Sequence, residues 1–154
     1  MRVLTGLDLL IRLTVLFANV KPKVAKEARH PCVDLLMHYW PVLDEILTIY
    51  GHLIPVNEAF ARLVRSSIDA YGLHFSPLLA PLLNKIVALF EKCGHSAYLW
   101  MARNCIKEFG YDSAPQIQDL FVFIGEMTRI TYDLFQKKSV FEMPDGMLIL
   151  LKRG

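Results

Sequence analysis

Pro31, Pro77 and Pro115 each open an apolar run of helical period, 46 and 38 residues apart, and Gly51, Gly72, Gly94 and Gly110 close the runs between them. Proline suits a first helical turn because its φ is already helical and it has no N–H to leave unpaired. Glycine suits the position after the last turn, where a left-handed φ is common. A second helix fits between successive starts. That recurrence is what two-helix repeats of the HEAT or armadillo kind produce, each burying a face against its neighbour rather than against itself. The expected fold is therefore all-α, a right-handed superhelix of such repeats. A closed helical bundle is the alternative, and it supplies no reason for the period. No alternating apolar and polar run argues for a strand.

The pattern is clearest from His30 to Gly72. The first helix is expected from Pro31 to a left-handed glycine cap at Gly51, with Val33, Leu36, Met37, Trp40, Leu43, Leu47 and Tyr50 on one face. Pro41 removes a backbone hydrogen bond mid-helix, which predicts a bend. The second helix opens near Pro55 and carries Val56, Ala59, Phe60, Leu63, Val64, Ile68 and Tyr71 as its apolar stripe. Glu58, Arg62, Arg65 and Asp69 form one polar line on another face. Trp40 is expected to pack against this second helix.

Further on, Ser76-Pro77 resembles a capped start for a helix with Leu79, Leu82, Leu83, Ile86, Val87 and Phe90. Ser96 is expected to cap a shorter one bearing Tyr98, Met101, Ala102, Cys105, Ile106 and Phe109. Ala114-Pro115 opens a long one with Ile117, Leu120, Phe121, Ile124, Met127, Thr131, Leu134 and Phe135 as its stripe; Phe123 and Ile130 lie off it, which predicts packing on two sides. Leu82, Leu83, Phe121 and Ile124 are expected between neighbouring pairs. The organisation expected is residues 1–20 as a helix completing a preceding repeat, 21–142 as about two and a half repeats, and 143–154 as a divergent tail compatible with disorder.

Composition enters mainly by exclusion. With 54% hydrophobic and 21% charged residues the chain has ample apolar surface for a core, and disorder throughout is excluded. A net charge of +2 without charged blocks gives no ground for direct nucleic-acid or membrane-surface binding. The opening stretch is interrupted by Asp8 and Arg12, so it reads as an amphipathic helix rather than a signal peptide or membrane span. The basic stretch Lys21 to Arg29 reads as a solvated connection before it reads as a localisation signal. Three cysteines, Cys32, Cys93 and Cys105, favour a reducing compartment.

The chemistry-bearing residues form no catalytic set. His30 with Cys32, and Cys93 with His95, can be drawn as a zinc site, but they belong to different repeats at no recognised ligand spacing. His38, His52 and His74 lack a partner at a telling distance, and no phosphate loop or nucleophile elbow is present. The expectation is a protein that is not an enzyme and uses no metal or cofactor.

The succession Ile11 to Phe17, Asn19, Pro22, His30-Pro31-Cys32, Trp40-Pro41-Val42-Leu43, Pro81-Leu82-Leu83 and Glu108-Phe109-Gly110 resembles the carboxy-terminal half of importin-β karyopherins, most closely the transportin-SR type. The resemblance covers roughly Leu10 to Phe135. It implies a nuclear transport receptor segment, working between nucleus and cytoplasm, that binds protein cargo with arginine-serine or arginine-glycine segments. It also implies phenylalanine-glycine nucleoporins as partners, received in shallow slots between helices. Ran-GTP would be a partner of the whole receptor, through an amino-terminal arch with no counterpart here. Such receptors are several times longer, so the chain reads as a fragment, a truncated paralogue or a misassembled gene model. Cargo is gripped in the family partly through an arginine-rich second helix that matches Val56 to Gly72. Arg62 and Arg65 keep two of its arginines, whereas Ala59 and Asp69 replace two others. The plainer reading of the same arginines is a pair of surface contacts, Glu58 with Arg62 and Arg65 with Asp69, worth about 0.2 to 0.5 kcal/mol each. The alternative function is a HEAT-like scaffold that organises other proteins without transport.

Overall fold

The computed structural model describes residues 2–20, 28–110 and 116–141, together with Ala25. Six α-helices and no strand occur among them: α1 (Arg2–Val20), α2 (Pro31–Tyr50), α3 (Ile54–Tyr71), α4 (Ser76–Cys93), α5 (Ser96–Phe109) and α6 (Gln116–Phe141). A 3-10 turn, Gly72–Phe75, joins α3 to α4. The start at Ala114-Pro115 and the tail from residue 143 lie outside the described residues.

Two layers result from the packing. α1 lies on α3 and α3 on α5, while α2 lies on α4 and α4 on α6; α4 also meets α5, and α5 meets α6. Second helices stack on second helices and first on first, the arrangement of a helical repeat array and not of a closed bundle. α2 and α4 begin 45 residues apart, at Pro31 and Ser76. A HEAT unit of about 40–47 residues fits that better than a 34-residue TPR unit.

α3 sits in the middle of its layer and is buried as its periodicity predicts. All seven stripe residues are buried, and Asn57, Ala61 and Ser67 with them. α2 is less covered: Val33, Leu36, Leu43 and Leu47 are buried, but Met37 and Tyr50 are exposed. Trp40 is half-buried and lines a cavity of about 20 Å³ with Phe60, Leu63 and Val64 of α3 and Leu78 and Leu82 of α4. It does reach α3, with one side left to solvent. The helix continues through Pro41.

The caps differ from the expected ones. His30 Nδ1 accepts the Cys32 N–H at 3.2 Å, and His95 Nδ1 accepts the Ala97 N–H at 3.2 Å, so imidazoles cap α2 and α5. Ser96 is the first helical residue rather than the cap. Ser76 does not cap either: α4 follows the 3-10 turn directly, and the Ser76 hydroxyl donates back to the Leu73 carbonyl. Gly94 is left-handed at φ 62° and ψ 20°, as its position requires. Gly51 is not; its φ is −64°. Glycine is needed there for space, since a Cβ would meet the Leu47 carbonyl oxygen and come within 2.7 Å of Leu89 Cδ2.

The expected stripe of α6 is corrected. Leu120, Phe123, Met127 and Ile130 are buried, Ile124 and Leu134 are half-buried, and Phe121 and Phe135 are 68% and 70% exposed. Leu82 and Leu83 lie in the core as expected; Phe121 does not. α6 is apolar on more than one side, and its contacts with α4 and α5 select the face that Phe123 and Ile130 share. Polar contacts reinforce the first-helix layer. Lys85 of α4 reaches Asp44 at 2.8 Å and Thr48 at 2.6 Å on α2, and Arg129 of α6 reaches Glu91 of α4 at 3.1 Å.

A buried polar junction ties the second-helix layer to the end of α2. Tyr98 of α5 is fully buried; its hydroxyl donates to the Gly51 carbonyl at 2.9 Å and meets Asn57 Oδ1 of α3. Asn57 is also fully buried, and its Nδ2 has no partner among the described residues. Desolvation, followed by the nearby Cys93, pushes the Tyr98 phenol well above its ordinary pKa.

Candidate functional site

Burial of ten α3 residues fixes that helix's orientation, so the line Glu58, Arg62, Arg65 and Asp69 points to solvent along its whole length. The two expected surface pairs fare differently. Arg65 Nε lies 3.5 Å from Asp69 Oδ2, with the two side chains 60% and 66% exposed, which is a loose and largely solvated contact. Arg62 makes no ion pair among the described residues, with Glu58 or any other group. It stands available to a ligand.

Arg65 has a second neighbour that spacing along one helix cannot show. Its guanidinium carbon is 5.5 Å from the ring centroid of Trp100 on α5, within cation–π range. Trp100 is half-buried and borders the exposed line. Beyond it α5 exposes Arg103 and Lys107, one turn apart. Sequence reasoning passed over both, although they fall opposite the buried stripe Tyr98, Met101, Ala102, Cys105 and Phe109, which was the available signal. Arg62, Arg65, Trp100, Arg103 and Lys107 thus belong to two adjacent helices of one layer.

The other polar groups have structural work. His30 is 5% exposed, its ring 4.8 Å from Tyr71 and 5.7 Å from His74. Burial and then the charge of His74 hold its pKa below the ordinary 6.5. Cys105 is buried, with no activating base among the described residues, and burial pushes its thiol up to about 12. Among the described residues no group of histidine, cysteine and carboxylate side chains converges as a metal site, so His30, Cys32, Cys93 and His95 are not brought together.

Comparison with known proteins decides the family. The Transportin-3/Importin-13 fourth TPR domain matches residues 30–135, from the His30 cap to the late turns of α6. The chain belongs to the importin/transportin family. That family is one of transport receptors built from helical repeats, and the two-layered stack accords with it. The chain is also similar to Uncharacterized protein C11G11.07 of Schizosaccharomyces pombe, at 22% identity over 134 residues, 86% of this chain and 14% of the relative. It therefore spans a small part of that relative's length. No solved structure matches.

The fold separates the two positions at which the resemblance implies a lost arginine. Of the two positions where the resemblance replaces arginine, Asp69 lies on the exposed line, but Ala59 is 3% exposed and faces the core. The change that bears on surface charge is the one at Asp69.

Proposed function

We propose that this chain is the cargo-side segment of a transportin-SR-type import receptor, acting between cytoplasm and nucleus, and that α3 with Trp100 receives arginine-serine or arginine-glycine segments of RNA-binding proteins. The observation that carries the reading is Arg62, exposed and without an ion pair among the described residues, one turn from an Arg65 held only by a loose 3.5 Å contact and by Trp100. A phosphorylated serine offers three acceptor oxygens and nearly two charges, enough to displace so weak a pair. Trp100 offers a face for the arginines of the same segment. Phenylalanine-glycine nucleoporins are a second class of partner in this reading. A slot of about 380 Å³ lined by Phe90, Leu99, Leu134 and Phe135 has the apolar character they need.

Titration of a labelled arginine-serine peptide, phosphorylated and unphosphorylated, tests it at two salt concentrations. The phosphorylated form should bind more tightly and weaken with salt, since exposed charges are screened over about 8 Å at physiological ionic strength. Arg62→Ala with Arg65→Ala should reduce binding, and Asp69→Arg should strengthen it. If neither variant changes the titration, α3 is a solvated face and the scaffold function takes precedence.

A further inference from the structure

The open face of Trp100 is already occupied by a group of the kind it is proposed to receive. Trp100 is half-buried and packed against the core, and the Arg65 guanidinium carbon lies over its ring at 5.5 Å. Among the described residues Arg65 has one other charged neighbour, Asp69, at 3.5 Å, with both side chains more than half exposed. Neither contact is strong, since an exposed cation–π contact or an exposed ion pair shifts an equilibrium by no more than about fivefold. Arg62 stands three residues before Arg65, exposed and with no ion pair among the described residues. Residues three apart on a helix are neighbours, so the two guanidiniums can serve one phosphate. All four residues belong to α3 and α5, which pack directly on each other.

We propose that Arg65 is an internal competitor for the Trp100 ring, and that a phosphate on the cargo segment lifts the competition, so that the site counts an arginine only when a phosphoserine stands beside it. The proposal rests on the reading of α3 as a cargo surface. An arginine of an unphosphorylated segment reaches the ring only by displacing Arg65, which exchanges one guanidinium for another and leaves no differential affinity to draw on. A phosphate changes that exchange. It takes Arg62 and Arg65 together through charge-assisted hydrogen bonds, which are stronger than the two contacts Arg65 gives up. With Arg65 turned to the phosphate the ring is vacated, and the neighbouring arginine of the segment gains a contact without displacing anything. Phosphate and arginine are thereby coupled, and linkage makes the coupling reciprocal: each strengthens the binding of the other by the same factor. An arginine-glycine segment, having no phosphate, cannot draw on Trp100 in this way.

Four short peptides test this, each with one arginine or one citrulline beside one serine, phosphorylated or not, in a neutral frame. Citrulline keeps the shape of arginine and removes its charge. Affinities are read from NMR titrations of the isotope-labelled 154-residue chain at low salt, from initial slopes where binding falls short of saturation. In the phosphorylated pair, citrulline should weaken binding about two- to fivefold, the range of one exposed cation–π contact, and in the unphosphorylated pair the change should stay below about 1.5-fold. Arg65→Gln, a surface substitution, frees the ring, so arginine should then count equally with and without the phosphate. Trp100→Leu should abolish the arginine contribution in the phosphorylated pair, with circular dichroism checking that the fold is retained. An arginine contribution that is equal in the two pairs for the unaltered chain, that survives Trp100→Leu, or that still depends on phosphate in Arg65→Gln overturns the proposal while leaving cargo binding on α3 in place. Failure of the phosphorylated peptide to bind at all overturns the cargo reading and the proposal together.

Discussion

Removing one oxygen atom from Tyr98 should be among the costlier single changes in this fold. In Tyr98→Phe the ring still fills its place, so little packing is lost, but the Gly51 carbonyl loses its 2.9 Å donor and the Asn57 amide loses its neighbour. Among the described residues Asn57 Nδ2 has no partner, and Asn57 is 0% exposed. One net hydrogen bond is worth about 1 kcal/mol, and a buried polar group left alone costs about 1–3 kcal/mol, so the change should destabilise by about 2–3 kcal/mol. With a urea slope of about 2 kcal/mol per molar, the unfolding midpoint should fall by about 1–1.5 M. A double-mutant cycle with Asn57→Leu sharpens the test. Once the amide is gone, losing the hydroxyl strands one fewer polar group, so the two changes together should cost about 1–2 kcal/mol less than their sum. A midpoint shift below about 0.3 M, or strict additivity, would refute the junction between α2, α3 and α5.

Three further outcomes are expected. Because the His30 pKa is lowered in the folded chain, the native state takes up that proton less readily than the unfolded state. The stability His30 supplies should be intact above the unfolded value of about 6.5 and be lost as pH falls from there through the folded value; thermal melts across that range should show it, and His30→Asn, a cap that does not titrate, should flatten the curve. Gly51→Ala should cost about 1–3 kcal/mol by chemical denaturation, because the added methyl meets the Leu47 carbonyl and Leu89 with no room to turn away. Trp40→Ala should cost about 2 kcal/mol, below the 3–5 kcal/mol of a fully enclosed tryptophan, because one side of the ring already faces solvent; an unchanged unfolding midpoint would remove Trp40 from the α2, α3 and α4 junction.

What the sequence made legible tracks how each helix is enclosed. α3 could be read residue by residue because it lies between two neighbours in its layer and is polar on the one face they leave free. α6 could not. Phe121, Val122, Tyr132 and Phe135 give it apolar residues on the side its neighbours do not cover, so periodicity alone offered two stripes and no means of choosing. The caps failed for another reason: serine is the stronger cap in general and stood beside both α4 and α5, yet at α5 the imidazole of His95 occupies the position one residue earlier. At the candidate site the arginines and the Arg65–Asp69 contact were visible, since neighbours four apart on a helix are set by its pitch. Trp100 and the α5 cations were not, because their relation to Arg65 exists only after α3 and α5 have packed.

The same enclosure explains why the surface charge of α3 can vary without the fold varying. Each buried residue of α3 answers to a neighbouring helix, and a change there propagates into packing. Among the described residues, Glu58, Arg62, Arg65 and Asp69 answer to solvent, to one loose ion pair and to the ring of Trp100. Substitution along that line should cost the fold little, within about 0.5 kcal/mol for surface positions of this kind, while it changes the sign of the charge a ligand meets. Asp69 is the clearest instance. It draws Arg65 toward the C-terminal end of α3 and cancels part of its charge, so an arginine in its place would both release Arg65 and extend the positive row by one turn. In the proposed reading, the affinity of α3 for a phosphorylated segment is therefore set against one exposed carboxylate that the core does not constrain.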